Sequence, residues 1–118
     1  MIRRAEEIRV REVAGAQGGK GKVIFHDWLI PAEDCPGHGR VISQVEIPAG
    51  SSIGWHQHVG EFEAYIVLAG QALVNDNGTE LTLNPGDMHL CKDGNFHSVE
   101  AVGEASLILQ AVILNTLG

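Results

Sequence analysis

The most constraining feature of this sequence is its punctuation. From Arg40 onward, short apolar-alternating stretches are cut by turn signals at Pro48-Ala49-Gly50, Ala69-Gly70, Asp76-Asn77-Gly78, Pro85-Gly86-Asp87 and Asp93-Gly94-Asn95. Glycine and asparagine supply the positive φ angles that tight turns need, and proline presets the first turn position. In Arg40–Ile47, Val41, Val45 and Ile47 fall on one face, with Arg40, Gln44 and Glu46 on the other. That is the two-residue period of a half-buried strand. Gln71–Asn75 and Glu80–Leu83 flank Asp76-Asn77-Gly78, which predicts a hairpin. Phe62–Leu68, Met88–Lys92, His97–Val102 and Ser106–Leu114 read as further strands, and Lys22–Ile30 as one more before the loop Pro31–Gly39. Eight or nine short strands with almost no helical periodicity predict an all-β sandwich or barrel.

The chain has 118 residues, one domain's worth, and its apolar content of 44% is enough for one modest core. The segment LILQAVIL near the end is apolar at almost every position. Such a strand is expected to be covered on both faces. In so small a chain, that points to a homodimer. Residues 1–21 read as an N-terminal arm followed by the flexible Gly15–Gly21 loop, and 22–118 as the barrel domain. Ile8, Val10 and Val13 suit an added strand or a short helical turn.

Acidic residues outnumber basic ones 15 to 8, for a formal net charge of −7. A chain so charged is repelled by nucleic acid, and no nucleic-acid partner is expected. Six of the eight basic residues lie in the first 22 positions, which reads as a solvated charged end. Cys35 and Cys91 form no CxxC pair, and the N-terminal MIRRAEEIRVRE lacks the apolar run of a signal peptide. The expectation is a cytoplasmic protein with reduced thiols, independent of membranes.

Six histidines are candidates for chemistry: His26, His38, His56, His58, His89 and His97. His56 and His58 are two apart on an extended segment, so their side chains share a face with Cα atoms about 6–7 Å apart. Two imidazoles at that separation can close on one ion. Glu63 follows across Val59-Gly60, where the glycine lets the chain bend back. Glu61 is close by and shares its parity, and is the decoy. His97 arrives from a later strand after the Asp93-Gly94-Asn95 turn. Tyr65 and Val67 share the parity of Glu63, while Trp55 has the opposite parity to His56 and should pack away. His89, between Met88 and Leu90, reads as a core or rim residue, His26 and His38 as structural or exposed, and Cys91 as a small core residue.

The spacing then becomes specific. Gly50, five residues, His56, one, His58, four, Glu63, six and Gly70 reproduce the first motif of the cupin superfamily in full. The second motif is matched at Gly86, Gly94 and His97, with Lys92 in place of its proline and Ala101 in place of its asparagine. Neither departure removes a ligand, although Lys92 bears on the turn before His97. The chain thus resembles small single-domain bacterial cupins, more distantly those of the oxalate decarboxylase type. The resemblance covers roughly residues 40–114.

The resemblance implies a double-stranded β-helix, the cupin jelly-roll barrel, with one divalent metal per chain on His56, His58, Glu63 and His97. Mn(II) or Fe(II) is the expected working ion, with Zn or Ni possible as purified. Four protein ligands leave two exchangeable positions on a six-coordinate ion, which suits a substrate better than a closed structural site does. One carboxylate leaves such a site at about +1, which favours an anionic small molecule. The expected function is metal-dependent oxidoreductase, dioxygenase or decarboxylase chemistry on a small organic acid or enediol. Glu63 is the candidate catalytic group, as ligand first and proton carrier second. A non-redox metal-dependent isomerase and a non-catalytic binder are the alternatives. The apolar wall beside the metal is expected from Tyr65, Val67 and Val99.

Overall fold

The structure is a computed structural model that describes residues 1–117. Ten strands run in chain order: β1 (Arg9–Ala14), β2 (Lys22–Asp27), β3 (Gly39–Ile47), β4 (Ser52–Gln57), β5 (Glu61–Ala69), β6 (Ala72–Asp76), β7 (Thr79–Leu83), β8 (Met88–Cys91), β9 (Phe96–Ala101) and β10 (Leu107–Asn115). A single helical turn, α1 (Pro31–Asp34), sits where a plain loop was expected, with Pro31 fixing its first position. The strands form a six-stranded sheet, β1-β2-β3-β10-β5-β8, and a four-stranded sheet, β4-β9-β6-β7. Every pairing is antiparallel. This is the two-sheet jelly roll that the strand spacing and motifs implied.

Local chemistry explains the key connections. The β6–β7 hairpin turns on Asn77 and Gly78, both at positive φ, 50° and 106°. Those two angles give a two-residue turn whose twist matches its strands. The turn before His97 forms despite Lys92: the Asn95 N–H donates to the Lys92 carbonyl at 3.0 Å, and the Gly94 N–H to the His58 carbonyl at 2.7 Å.

The core lies between the two sheets. Val23, Val45, Ile47, Leu107 and Leu109 from the larger sheet meet Val74 and Val99 from the smaller one, all at 2% exposure or less. Each such side chain contributes roughly 1.5–3 kcal/mol of burial. β10 is central, hydrogen-bonded to β3 on one side and β5 on the other. Its inner face, Leu107, Leu109, Ala111 and Ile113, is buried, while its outer face, Ile108, Gln110, Val112 and Leu114, is only half-buried by this chain. The same outer surface carries the exposed side chains Ile66, Leu68, Met88 and Leu90.

Residues 9–14 add strand β1 to the edge of β2, in the register Arg9↔Asp27 to Ala14↔Lys22. The join is locked by a buried carboxylate. Asp27 accepts from Arg9 Nε at 2.6 Å, from Arg11 Nε and Nη2 at 2.6 and 2.9 Å, and from Ser43 Oγ at 2.6 Å. Burial alone would raise the Asp27 pKa. The hydrogen bonds from Arg11, Ser43 and Arg9 outweigh it and hold the group at about 2. The Gly15–Gly21 loop, expected to be flexible, is packed against β4. A Cβ on Gly19 would lie 2.2 Å from the Ser52 carbonyl oxygen, and one on Gly54 would lie 2.3 Å from that of Gln17. Only two glycines allow backbones so close.

A carboxyl with a depressed folded pKa stabilises above its unfolded value, and that contribution is lost as pH falls through the folded value. Asp27→Asn should therefore cost about 2 kcal/mol at pH 7. It should also flatten the loss of stability between about pH 4 and pH 2. Urea melts of both proteins across that range check this.

Candidate metal centre

Four side chains from both sheets meet at one end of the barrel interior. β4 carries His56, and β9 carries His97 directly opposite it in the register. A register shift between Ile53 and His56 re-aims the end of β4. His58 lies just beyond β4, its N–H bonded to the Asn95 carbonyl. Glu63 comes from β5 in the other sheet, paired with Cys91 of β8. His58, His97 and Glu63 are buried, and His56 is half-buried.

The three imidazoles point their Nε2 atoms at a common centre. The separations are 3.2 Å for His56–His58, 3.0 Å for His58–His97 and 3.1 Å for His97–His56. Glu63 Oε1 lies 3.1 Å from both His58 Nε2 and His97 Nε2. The spacing is that of neighbouring donors around an ion with bonds of roughly 2.1 Å.

The far side of each ring shows which nitrogen is bare. His56 Nδ1 faces the Gly54 carbonyl at 2.7 Å, and His58 Nδ1 faces Glu61 Oε1 at 2.8 Å. Both partners can only accept, so both Nδ1 atoms carry the hydrogen. His97 Nδ1 faces His89 Nε2 at 3.1 Å, and when the hydrogen of that pair sits on His97 its Nε2 is bare as well. In that tautomer three lone pairs and a carboxylate converge, an arrangement that a cation resolves. The four side chains could hold a metal ion.

The outer partners bear out one sequence expectation and refine another. Glu61, the decoy carboxylate, is not among the converging donors. It orients His58 and is itself held by Arg40, whose Nε and Nη2 donate to it at 2.8 and 2.7 Å. The Arg40 hydrogen bond is the main reason that its pKa falls below the usual carboxylate range. His89, expected as a core or rim residue, is the buried partner of His97, its own pKa lowered by burial and by His97. β8 pairs with β5 so that His89 sits opposite Tyr65. No sequence pattern announces that cross-strand register.

Electrostatics follow the same layout. Burial would raise the Glu63 pKa, but its neighbours His58 and His97 outweigh burial and hold it at about 2. Burial lowers the His58 pKa, yet Glu63 and Glu61 prevail and raise it. Burial lowers that of His56. Tyr65 stacks on His97, with ring centres 5.2 Å apart, and burial next to Glu63 raises its pKa far above the ordinary tyrosine value. Cys91 is a buried thiol pushed up to about 11, mainly by burial, as expected of a core cysteine.

Beside these donors lies a cavity of about 200 Å³. His56, Glu63, Tyr65, Arg11, Gln17 and Arg40 are among the residues that line it. Val67 and Val99, expected in the wall, are buried in the core and are not among the residues that line the cavity. Val41, Val45 and Ile53 are among the apolar residues that supply the lining. Trp55 turns away, as its parity required, and stacks on Phe96.

The fold and the donor set match a known family. Residues 43–113 fit the cupin domain. The chain belongs to the cupin family. It is 35% identical over 114 residues to an oxalate-binding protein of Thermotoga maritima, spanning 97% of this cupin and 93% of that protein. A crystal structure from T. maritima, described as that of a predicted oxalate decarboxylase, superposes with a TM-score of 0.89 at 34% identity. The match covers 98% of this chain and all of that one. The cupin domain of Schizosaccharomyces pombe Cnp3 shares the fold, with a TM-score of 0.71 at 16% identity over 90% of this chain and 69% of that one.

Because each outer partner fixes one ring, Glu61→Ala and His89→Ala should each weaken binding of a divalent ion about 10- to 100-fold. Glu61→Gln should retain more affinity than Glu61→Ala, since its amide oxygen still accepts from His58 Nδ1. Competition titrations with a chromogenic chelator check both.

Proposed function

We propose that this cupin holds one divalent ion on His56, His58, Glu63 and His97 and acts as a metal-dependent enzyme on a small organic acid or enediol. The observation that carries the reading is the convergence of the three Nε2 atoms and Glu63, with His56 and Glu63 on the wall of a cavity large enough for a small molecule. Mn(II) or Fe(II) suits the mixed nitrogen and oxygen donors, and Zn or Ni can compete on intrinsic affinity. When bound, the ion would polarise substrate oxygens as a Lewis acid and, if redox-active, exchange electrons with the substrate.

The chain's own residues hold and shield the ligand. Glu63 fixes one side of the ion and offsets part of its charge, leaving about one positive charge to attract an anion. Its second role, proton transfer, would need it to leave the His58 and His97 nitrogens. Tyr65 closes the cavity wall next to Glu63 and keeps its proton. A cytoplasmic site is consistent with the free thiols of Cys35 and Cys91. Among the described residues, no helix is long and apolar enough to cross a membrane.

The relative described as an oxalate-binding protein favours a second reading, a metal-borne binder without turnover. One experiment separates the two. Apo protein is reloaded with Mn(II), Fe(II) or Co(II) and assayed on organic acids, enediols and catechols, with and without O₂. Turnover that His97→Ala loses supports the enzyme. Saturable binding of an acid without turnover in any metal form supports the binder. One-to-one metal retained by the His56→Ala/His58→Ala protein would overturn the site itself.

We also propose that the chain is a homodimer through the outer face of the six-stranded sheet, where Ile66, Leu68, Met88 and Leu90 stand exposed beside the half-buried Ile108, Val112 and Leu114. A contiguous apolar surface of this kind marks an interface. Light scattering at micromolar concentration should give about twice 12.6 kDa, and Leu68→Asp/Leu90→Asp should shift it to the monomer.

A further inference from the structure

We propose a second metal site in this chain, a buried soft site for copper(I) on His89, Cys91 and His97, whose occupation excludes an ion from the four-donor centre. β8 lies in the six-stranded sheet and β9 in the four-stranded one. His89 and Cys91 are two apart on β8 and share its buried face. His97 meets them from β9. His89 Nε2 lies 3.1 Å from His97 Nδ1, and with the Cys91 sulfur these atoms all fall within 4.8 Å of one another. Cys91 and His97 are fully buried, and His89 nearly so. None of the three atoms is a donor of the first centre, which uses the opposite nitrogen of His97.

The donor set selects the ion. Two imidazoles and a thiol converge, with no carboxylate among them. Thiolate favours soft ions, and two histidines with a cysteine in a plane are a copper set. Zinc(II) seeks a fourth ligand. Charge points the same way. A thiolate and a singly charged ion leave the site neutral. A doubly charged ion would leave net positive charge beside the buried Tyr65 ring, which lies against both His97 and His89.

The site has its own approach. His89 lines a second cavity, of about 190 Å³, with Asp76 of β6 and Leu81 and Leu83 of β7. That cavity shares no residue with the one beside His56 and Glu63. An ion can therefore reach His89 past the Asp76 carboxylate without passing the four-donor centre.

The shared ring makes the two sites exclusive. A neutral imidazole has one bare nitrogen. For copper(I) to take Nδ1, the His97 hydrogen must sit on Nε2, which removes that nitrogen from the four-donor centre. Cys91 releases its S–H proton to solvent on binding, and the copper keeps its oxidation state, so no oxidant or reductant is consumed. Such coupling is reciprocal: an ion on the first centre weakens copper by the same factor.

The test is anaerobic titration of the apo protein with copper(I) against bicinchoninate, with X-ray absorption of the loaded protein. One copper per chain is expected, with one sulfur among its neighbours. One equivalent of copper(I) should weaken Co(II) binding about 10- to 100-fold, read from the visible absorption of the cobalt. Cys91→Ser should weaken copper about 100-fold or more and leave Co(II) affinity unchanged. His56→Ala should do the reverse, weakening Co(II) and sparing copper, which keeps the test sound if Cys91→Ser folds poorly. Copper bound without sulfur, or bound as tightly by Cys91→Ser, would overturn the proposal. So would a Co(II) affinity indifferent to copper.

Discussion

Three imidazole nitrogens held 3.0–3.2 Å apart, with the hydrogens of His56 and His58 on the far side of their rings, cannot all satisfy one another. Much of the surrounding structure serves that frustrated geometry. Gly54 offers His56 a carbonyl, Glu61 braces His58, and His89 braces His97. The Arg40–Glu61 pair carries the bracing out to the surface. Without these contacts, each ring would be free to flip its tautomer or turn away, and the repulsion would disperse. Buried polar groups are tolerable only when partnered, and here the partners select one arrangement.

The site also depends on which sheet supplies each donor. His56 and His97 belong to neighbouring strands of the four-stranded sheet, while Glu63 comes from the six-stranded one. The converging donors therefore sit across the barrel interior and register the two sheets against each other. The hydrophobic core does the same further along, with Leu107 and Leu109 on the central strand packed in the cluster that holds Val74 and Val99. Polar and apolar contacts thus fix the same relative position of the sheets from opposite chemistries.

Much of this was legible in the sequence. Asn77-Gly78 marked its hairpin because few other residue pairs take two successive positive φ angles. The parity of Arg40–Ile47 gave its buried face correctly, and the spacing of His56, His58, Glu63 and His97 brought together the four residues that converge. What escaped was set by pairings between strands distant in sequence. His89 meets His97 only because β8 docks beside β5 while β9 lies in the other sheet. Parity alone does not separate Glu61 from Glu63; the motif spacing did, but the bracing role of Glu61 depends on Arg40, which reaches it from β3. The cavity walls draw on Val13 and Gln17, within a segment whose glycine-rich loop reads as featureless until its docking partner is known.

That docking partner is Gly54, and its position has a further consequence. Its carbonyl orients His56, while its bare Cα faces the Gln17 carbonyl, with Gly19 fitting against Ser52 from the other side. One peptide thus faces both the donor cluster and the N-terminal loop, with no side chain between to absorb a misfit. Positions 19 and 54 form an interlocking couple. A side chain gained at either would have to be answered by rebuilding the other backbone. Protein engineers who wish to reshape the cavity through residues 15–21 would meet this junction first: loop length and composition can be varied freely only in variants that leave that glycine-on-backbone contact intact.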